Sequence, residues 1–263
     1  MYFVIRSIIR VNTSTACNRQ INNSKLNKEP IFIIGVPRSG TTFVYQKLTQ
    51  GGDFIYINNI VSIFYDYIYL GFRLMKFLKF NFMNKVFKSY YGRTEMYGLY
   101  APSECGQFWR QWFSDTNKMY SLNVQSEIFQ SEARSIVYSC QSLFNQKFIF
   151  KNLNLSVCLI ELHKAFPDST LIIVERDTND ILKSIRKARK KLNIPLHTEW
   201  SVKTNFTNDM QNFNHDQAIR GQIKLIRDVI KRDSKLWPSQ NRINVKYEEL
   251  DDVYFDEITQ KIK

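Results

Sequence analysis

IFIIGVPRSGTT, residues 31–42, decides the reading of this chain. Ile31–Gly35 is a continuous apolar run of strand length, and Pro37 turns it sharply. The turn runs through Val36, Pro37, Arg38, Ser39 and Gly40, and a helix is expected from Thr41. Such a turn aims several backbone N–H groups and the positive end of a helix at one point, which suits a phosphate or a sulfate. Gly40 lets the backbone approach an anion closely.

The spacing from Gly35 to Gly40 is that of a P-loop, GxxxxG, yet Thr41 stands where nucleotide triphosphatases carry lysine. The cation has moved into the loop as Arg38. A terminal phosphoryl group carries two negative charges and normally needs Mg²⁺. A sulfuryl group carries one, so Arg38 and neighbouring hydroxyls suffice without a metal. The loop favours sulfuryl over phosphoryl transfer.

Outward from this loop, Lys147–Phe150, Thr170–Val174 and Arg242–Val245 share the short, buried look of the first strand. Helical patterns bracket them at Ser156–Phe166, Asn179–Lys191 and Gln217–Leu236. Apolar strands alternating with helices predict an α/β fold, a P-loop type parallel sheet flanked by helices. Residues 1–29 read as a flexible lead-in, with 30–263 as one domain. Within it, 52–146 reads as a mostly helical insertion on the acceptor side. Ile60 to Phe87 is crowded with aromatic and aliphatic residues but interrupted by Asp66, Arg73, Lys76 and Lys79. Amphipathic helices packed on the sheet are the favoured reading, and a lipid-binding surface is the alternative.

A second pattern lies in FPDSTLIIVERDTNDILKSIRKA: a turn, a buried strand, Arg176 and Asp177, then a helix bearing Ser184. Ser184 follows Arg176 by eight residues, so strand end and helix face can share one groove. An arginine and a hydroxyl there could grip a second phosphate.

PRSGTT directly after a buried strand resembles the 5′-phosphosulfate loop of sulfotransferases that use 3′-phosphoadenosine 5′-phosphosulfate (PAPS). The Arg176/Ser184 spacing resembles the same family's 3′-phosphate motif. The resemblance touches most of the chain from 31 to 250, in separated islands. It implies PAPS as donor, held by Arg38, Ser39, Gly40, Thr41, Thr42, Arg176 and Ser184. It also implies Lys151, at the end of KFIFK, near the transferring group. Tyr247, in Val245–Leu250, then stands where the family's late tyrosine meets adenine; a structural tyrosine is the competing reading. The basic run Arg186–Lys191 is expected to add positive potential near the donor.

The catalytic base is less plain. Cytosolic members place a histidine two residues after their lysine, where this chain has Leu153. Tyrosylprotein members use a glutamate shortly after the first helix, where Tyr56–Asn59 stand instead. Both departures put phenols and tyrosyl peptides in doubt as acceptors. Tyr91–Thr94 with Pro102, Glu104, Gly106, Phe108 and Trp109 resembles a bacterial subgroup block in which a His-Glu pair is common; here the histidine is Ser103. Glu104 is the expected base, against a helix-capping role. His163, His197 and His215 match no motif.

Composition bounds the rest. Lys and Arg outnumber Asp and Glu by 37 to 24, a net charge of +13, which predicts an anionic partner without choosing it. The competing functions are a P-loop kinase or triphosphatase, with Asp177 as its acid, and a non-catalytic anion- or nucleic-acid-binding protein. Nucleic acid is not expected, because no recognisable motif accompanies the charge. The expected acceptor is a small molecule, lipid or carbohydrate bearing a hydroxyl or amine. The four cysteines form no CxxC pair, and no apolar run is long enough to span a membrane, so a soluble, cytoplasmic protein without a metal site is expected.

Overall fold

Five strands form one parallel sheet: β1 (Ile31–Gly35), β2 (Phe54–Ile55), β5 (Lys147–Lys151), β6 (Thr170–Glu175) and β7 (Arg242–Lys246), in the order β2-β5-β1-β6-β7. The chain is seen in a computed structural model that describes residues 28–263 apart from 81, 86, 93, 95, 116–119, 196–198, 200 and 205–213. Almost all of the expected lead-in, 1–29, lies outside the described residues, as does His197.

The central strands are apolar throughout because both faces of the sheet are covered. β1 lies between β5 and β6, with Ile33 opposite Lys151 and Ile172, and all five of its residues are buried. The loop after β1 therefore emerges from the middle of the sheet, at the carboxyl ends of its strands, where open α/β sheets place their ligands.

Three helices fix what surrounds that edge. α1 (Thr41–Leu48) starts at Gly40, whose φ of 100° only glycine adopts freely; no side chain caps the helix. α7 (Thr178–Leu192) starts at Asp177, whose carboxylate accepts from the Asn179 and Asp180 amides. Ile181, Leu182, Ile185 and Ala188 form its buried stripe. α8 (His215–Asp233) opens with a capping box between Asn214 and Gln217 and buries residues along its length at helical spacing.

The stretch 52–146 is not helical alone. It opens with β2, which pairs with β5 and extends the main sheet. It also carries an antiparallel pair, β3 (Phe113–Asp115) and β4 (Tyr120–Leu122). Its helices are α2 (Asn59–Ser62), α3 (Ile68–Phe77), α4 (Gly106–Trp109) and α5 (Ser126–Phe144). α6 (Leu159–Ala165) and α9 (Asp252–Ile262) complete the described helices. An aromatic cluster pins α4 to the sheet: Phe32 of β1 stacks on Phe150 of β5 at 5.4 Å, and Trp109 meets Phe150 edge-on at 5.4 Å. Such pairs add about 0.5–1.5 kcal/mol each beyond area burial. The anchoring fixes the segment just ahead of α4, which carries Glu104.

Candidate active site

The loop after β1 is tight by construction. A Cβ on Gly35 would lie 2.7 Å from the Ser39 hydroxyl and 2.7 Å from the Val174 carbonyl. A Cβ on Gly40 would lie 2.1 Å from the Tyr247 ring, so Tyr247 closes on the loop backbone and any side chain at 40 would expel it. Arg38 sits in the left-handed region at φ 70°, unusual for a residue with a side chain. That conformation swings its guanidinium out of the loop toward α7, where Nε donates to the Ser184 hydroxyl at 3.0 Å.

Arg176 approaches from the end of β6. Its Nη1 donates to the Arg38 carbonyl at 3.3 Å, and its guanidinium lies 4.4 Å from the Tyr247 ring centre. Arg227 of α8 holds this corner, donating to the Arg176 carbonyl and to the Thr178 hydroxyl. The Arg176 cation is thus brought near enough to act on Arg38. Burial first, and the Arg176 cation second, push the Arg38 guanidinium below its ordinary value. Among the described residues neither has a carboxylate partner. Arg176 Nε and Ser39 Oγ are buried and make no hydrogen bond among those residues. Clustered like charge with orphaned polar atoms is unfavourable unless an anion joins it.

Across the cavity, Lys151 ends β5 with its side chain 1% exposed, and its ammonium is paired with the Glu104 carboxylate. Glu104 is held by its neighbours. The Ser103 amide donates to the Ile57 carbonyl at 2.8 Å, the Thr94 hydroxyl to the Pro102 carbonyl at 2.6 Å, and Asn152 Nδ2 to the Glu104 carbonyl at 3.4 Å. Ser103, in the subgroup's histidine position, makes a turn, its hydroxyl accepting from the Cys105 amide at 3.1 Å. No side chain caps α4, so the Glu104 carboxylate serves Lys151 and not the helix start.

One cavity of about 740 Å³ joins the two groups. Arg38, Gly40, Thr41, Thr42, Glu104, Lys151, Arg176 and Tyr247 all border it; Ser39 lies beneath the loop and Ser184 behind Arg38. Asp177, the acid a kinase would need, caps α7. The basic run divides: Arg186 pairs with Asp216, Arg189 is buried and donates to the Pro195 carbonyl, and Lys191 lies over the Tyr90 and Tyr91 rings at 5.5 and 6.0 Å. Of the histidines, His163 packs against Trp237 and His215 opens α8, both outside the cavity lining. Reasoning from sequence named Tyr91 but gave it no role; its ring lies 5.5 Å from the Arg38 guanidinium. Its signal was the Tyr-Gly-Arg-Thr block itself.

A loop at a strand end, a second arginine one strand away and a helix serine bonded to Arg38 stand at one edge of the sheet. Residues 30–252 match the model of the sulfotransferase family, and the chain belongs to that family. Sulfotransferase STF9 from Mycobacterium avium has a similar fold, with a TM-score of 0.57 at 14% identity, over 92% of this chain and 65% of that one. This chain thus spans a little under two thirds of that protein's length. Sulfotransferase STF1 from Mycobacterium tuberculosis H37Rv aligns over 99% of this chain and 75% of its own, with a TM-score of 0.54 at 13% identity. No curated protein matches the sequence significantly.

Proposed function

We propose that this protein transfers a sulfuryl group from PAPS to a hydroxyl or amine acceptor bound in the 740 Å³ cavity. The observation that carries the reading is the pair of arginines: Arg38 donates to Ser184, Arg176 donates to the Arg38 carbonyl, neither has a carboxylate partner among the described residues, and Nε of Arg176 is buried and unbonded. An anion with two separated negative groups relieves that arrangement. These residues fit PAPS: the α1 N-terminus with Ser39, Gly40, Thr41 and Thr42 would hold the 5′ end, and Arg176 with Ser184 the 3′-phosphate. Tyr247, against Gly40 and Arg176, would border the adenosine. When bound, PAPS supplies the sulfuryl group together with a bisphosphate leaving group.

The protein's part is positioning and proton transfer. Arg38 reaches from the loop toward Ser184 and is close enough to both motifs to answer to either end of the donor. Glu104 takes the acceptor's proton on its carboxylate. Lys151 fixes that carboxylate and offers its remaining N–H bonds to charge developing in the cavity. The stretch 52–146 supplies the acceptor side through Ser89–Gly92, Thr94, Glu104 and Arg110.

The test is turnover with sulfur-labelled PAPS against pools of lipid, carbohydrate and small-molecule acceptors. Label should move to one pool and continue to do so in EDTA. No transfer of label, with Mg²⁺-dependent turnover of ATP in its place, would point to a kinase.

A further inference from the structure

α3 is apolar on two opposite faces, and only one of them is covered. Ile68, Tyr69, Phe72 and Met75 point inward and are buried. Leu70, Leu74 and Phe77, spaced i, i+4 and i+7, line the opposite face and are exposed. Phe77 is 82% exposed, and Ile63, just before the helix, is 71% exposed. A helix interior to a protein is apolar all round; one at its surface normally shows water a polar face. This helix does neither.

The charges around that face have one sign. Between residues 60 and 94 the sequence holds Arg73, Lys76, Lys79, Lys85, Lys88 and Arg93 but a single acid, Asp66. Arg73 borders the exposed stripe on the helix, and Lys79 follows its end; both are exposed. Lys76 turns the other way and donates to the Leu143 carbonyl at the end of α5, which packs on the covered side. An apolar stripe bordered by cations is what a helix lying in the headgroup region of an anionic bilayer presents. A second copy of the chain is a poor occupant, because face-to-face pairing would bring the same cations together in a molecule already at +13.

We propose that the outer face of α3, with Ile63 and Leu78 beside it, docks the protein on an anionic membrane surface. Leu70, Leu74 and Phe77 enter the acyl boundary while Arg73 and Lys79 meet lipid phosphates. The chain runs from this face to Ser89 and Tyr90, which border the cavity. No helix among the described residues is long and apolar enough to cross a membrane, so the contact is interfacial.

Sedimentation of the full chain with vesicles tests this, using phosphatidylcholine alone and phosphatidylcholine mixed with phosphatidylglycerol. The protein should pellet with the mixed vesicles, stay in solution with phosphatidylcholine alone, and release in high salt. Leu74→Gln with Phe77→Gln should lower the partition coefficient about tenfold, and Arg73→Gln with Lys79→Gln by a similar factor. All four positions are exposed, and none borders the cavity, so both variants should keep wild-type affinity for adenosine 3′,5′-bisphosphate. That second readout separates a failure of docking from a failure of the donor site. The two variants act through different contacts, so misfolding of one leaves the other to decide. Protein that stays in solution with mixed vesicles, or both variants binding like wild type, overturns the proposal. So does a dimer in solution that the Leu74/Phe77 variant dissolves.

Discussion

Glu104 and Lys151 carry the most consequence per residue. The ammonium is almost wholly buried and the carboxylate a third exposed, so each needs the other unequally. Glu104→Gln leaves the Lys151 charge without its counter-ion. The cost should be about 1–3 kcal/mol, less than for a fully buried pair because water still reaches position 104. Adding Lys151→Met removes the stranded charge and should restore most of the melting temperature. The rate should behave differently: with Glu104 as the base, Glu104→Gln should turn over roughly 10²–10⁴-fold more slowly and lose the acidic limb of its pH profile, and the double variant should not recover. Full turnover in a folded Glu104→Gln enzyme would remove Glu104 from the chemistry. The carboxylate was legible in sequence, but its partner was not, because Lys151 lies 47 residues away on a strand whose neighbour is set by the sheet. Arg38 teaches the same lesson. The motif paired Ser184 with Arg176 but gave no sign that Arg38, at a positive φ, donates to Ser184. No spacing rule reveals a positive φ at an arginine.

At the scale of elements, β6 and α7 form the unit that presents Arg176 and Ser184, and two residues hold its corner. Asp177 caps α7, and the Asp180 and Asn179 amides hold its carboxyl below the ordinary range. Because the folded value is the lower one, the stability it adds is complete above the unfolded value of about 4 and fades as pH falls through the folded value. Asp177→Ala should therefore melt below wild type at pH 7 and converge with it in strong acid; an unchanged gap at low pH would contradict the assignment. Arg227, from α8, braces the carbonyl of Arg176. Arg227→Gln should raise the donor KM by roughly three- to tenfold while moving kcat less, as expected when binding geometry and not chemistry is disturbed. Equal losses in both would assign Arg227 to the chemical step. The long elements here were readable because α7 and α8 repeat their apolar residues at helical period and carry clear caps. β2 was not, since two residues carry no period. The β3–β4 pair was also hidden, at three residues a strand.

For the whole molecule, one loop motif and four apolar strands were enough to name the architecture, since alternating buried strands and helices admit few other packings. The side of the cavity built by residues 52–146 was less legible, because it is assembled from loops whose positions depend on aromatic packing around Phe32, Phe150 and Trp109. The central claim concerns the other side of the cavity: Arg38, Arg176 and Ser184 form a site for a nucleotide phosphorylated at both ends of its ribose. Calorimetric titration with adenosine 3′,5′-bisphosphate and with AMP tests it most directly. The bisphosphate should bind at least about tenfold tighter, and Arg176→Ala should erase most of that preference, a loss on the order of 1.5–3 kcal/mol. Equal affinities for the two nucleotides in the wild-type protein would contradict the account.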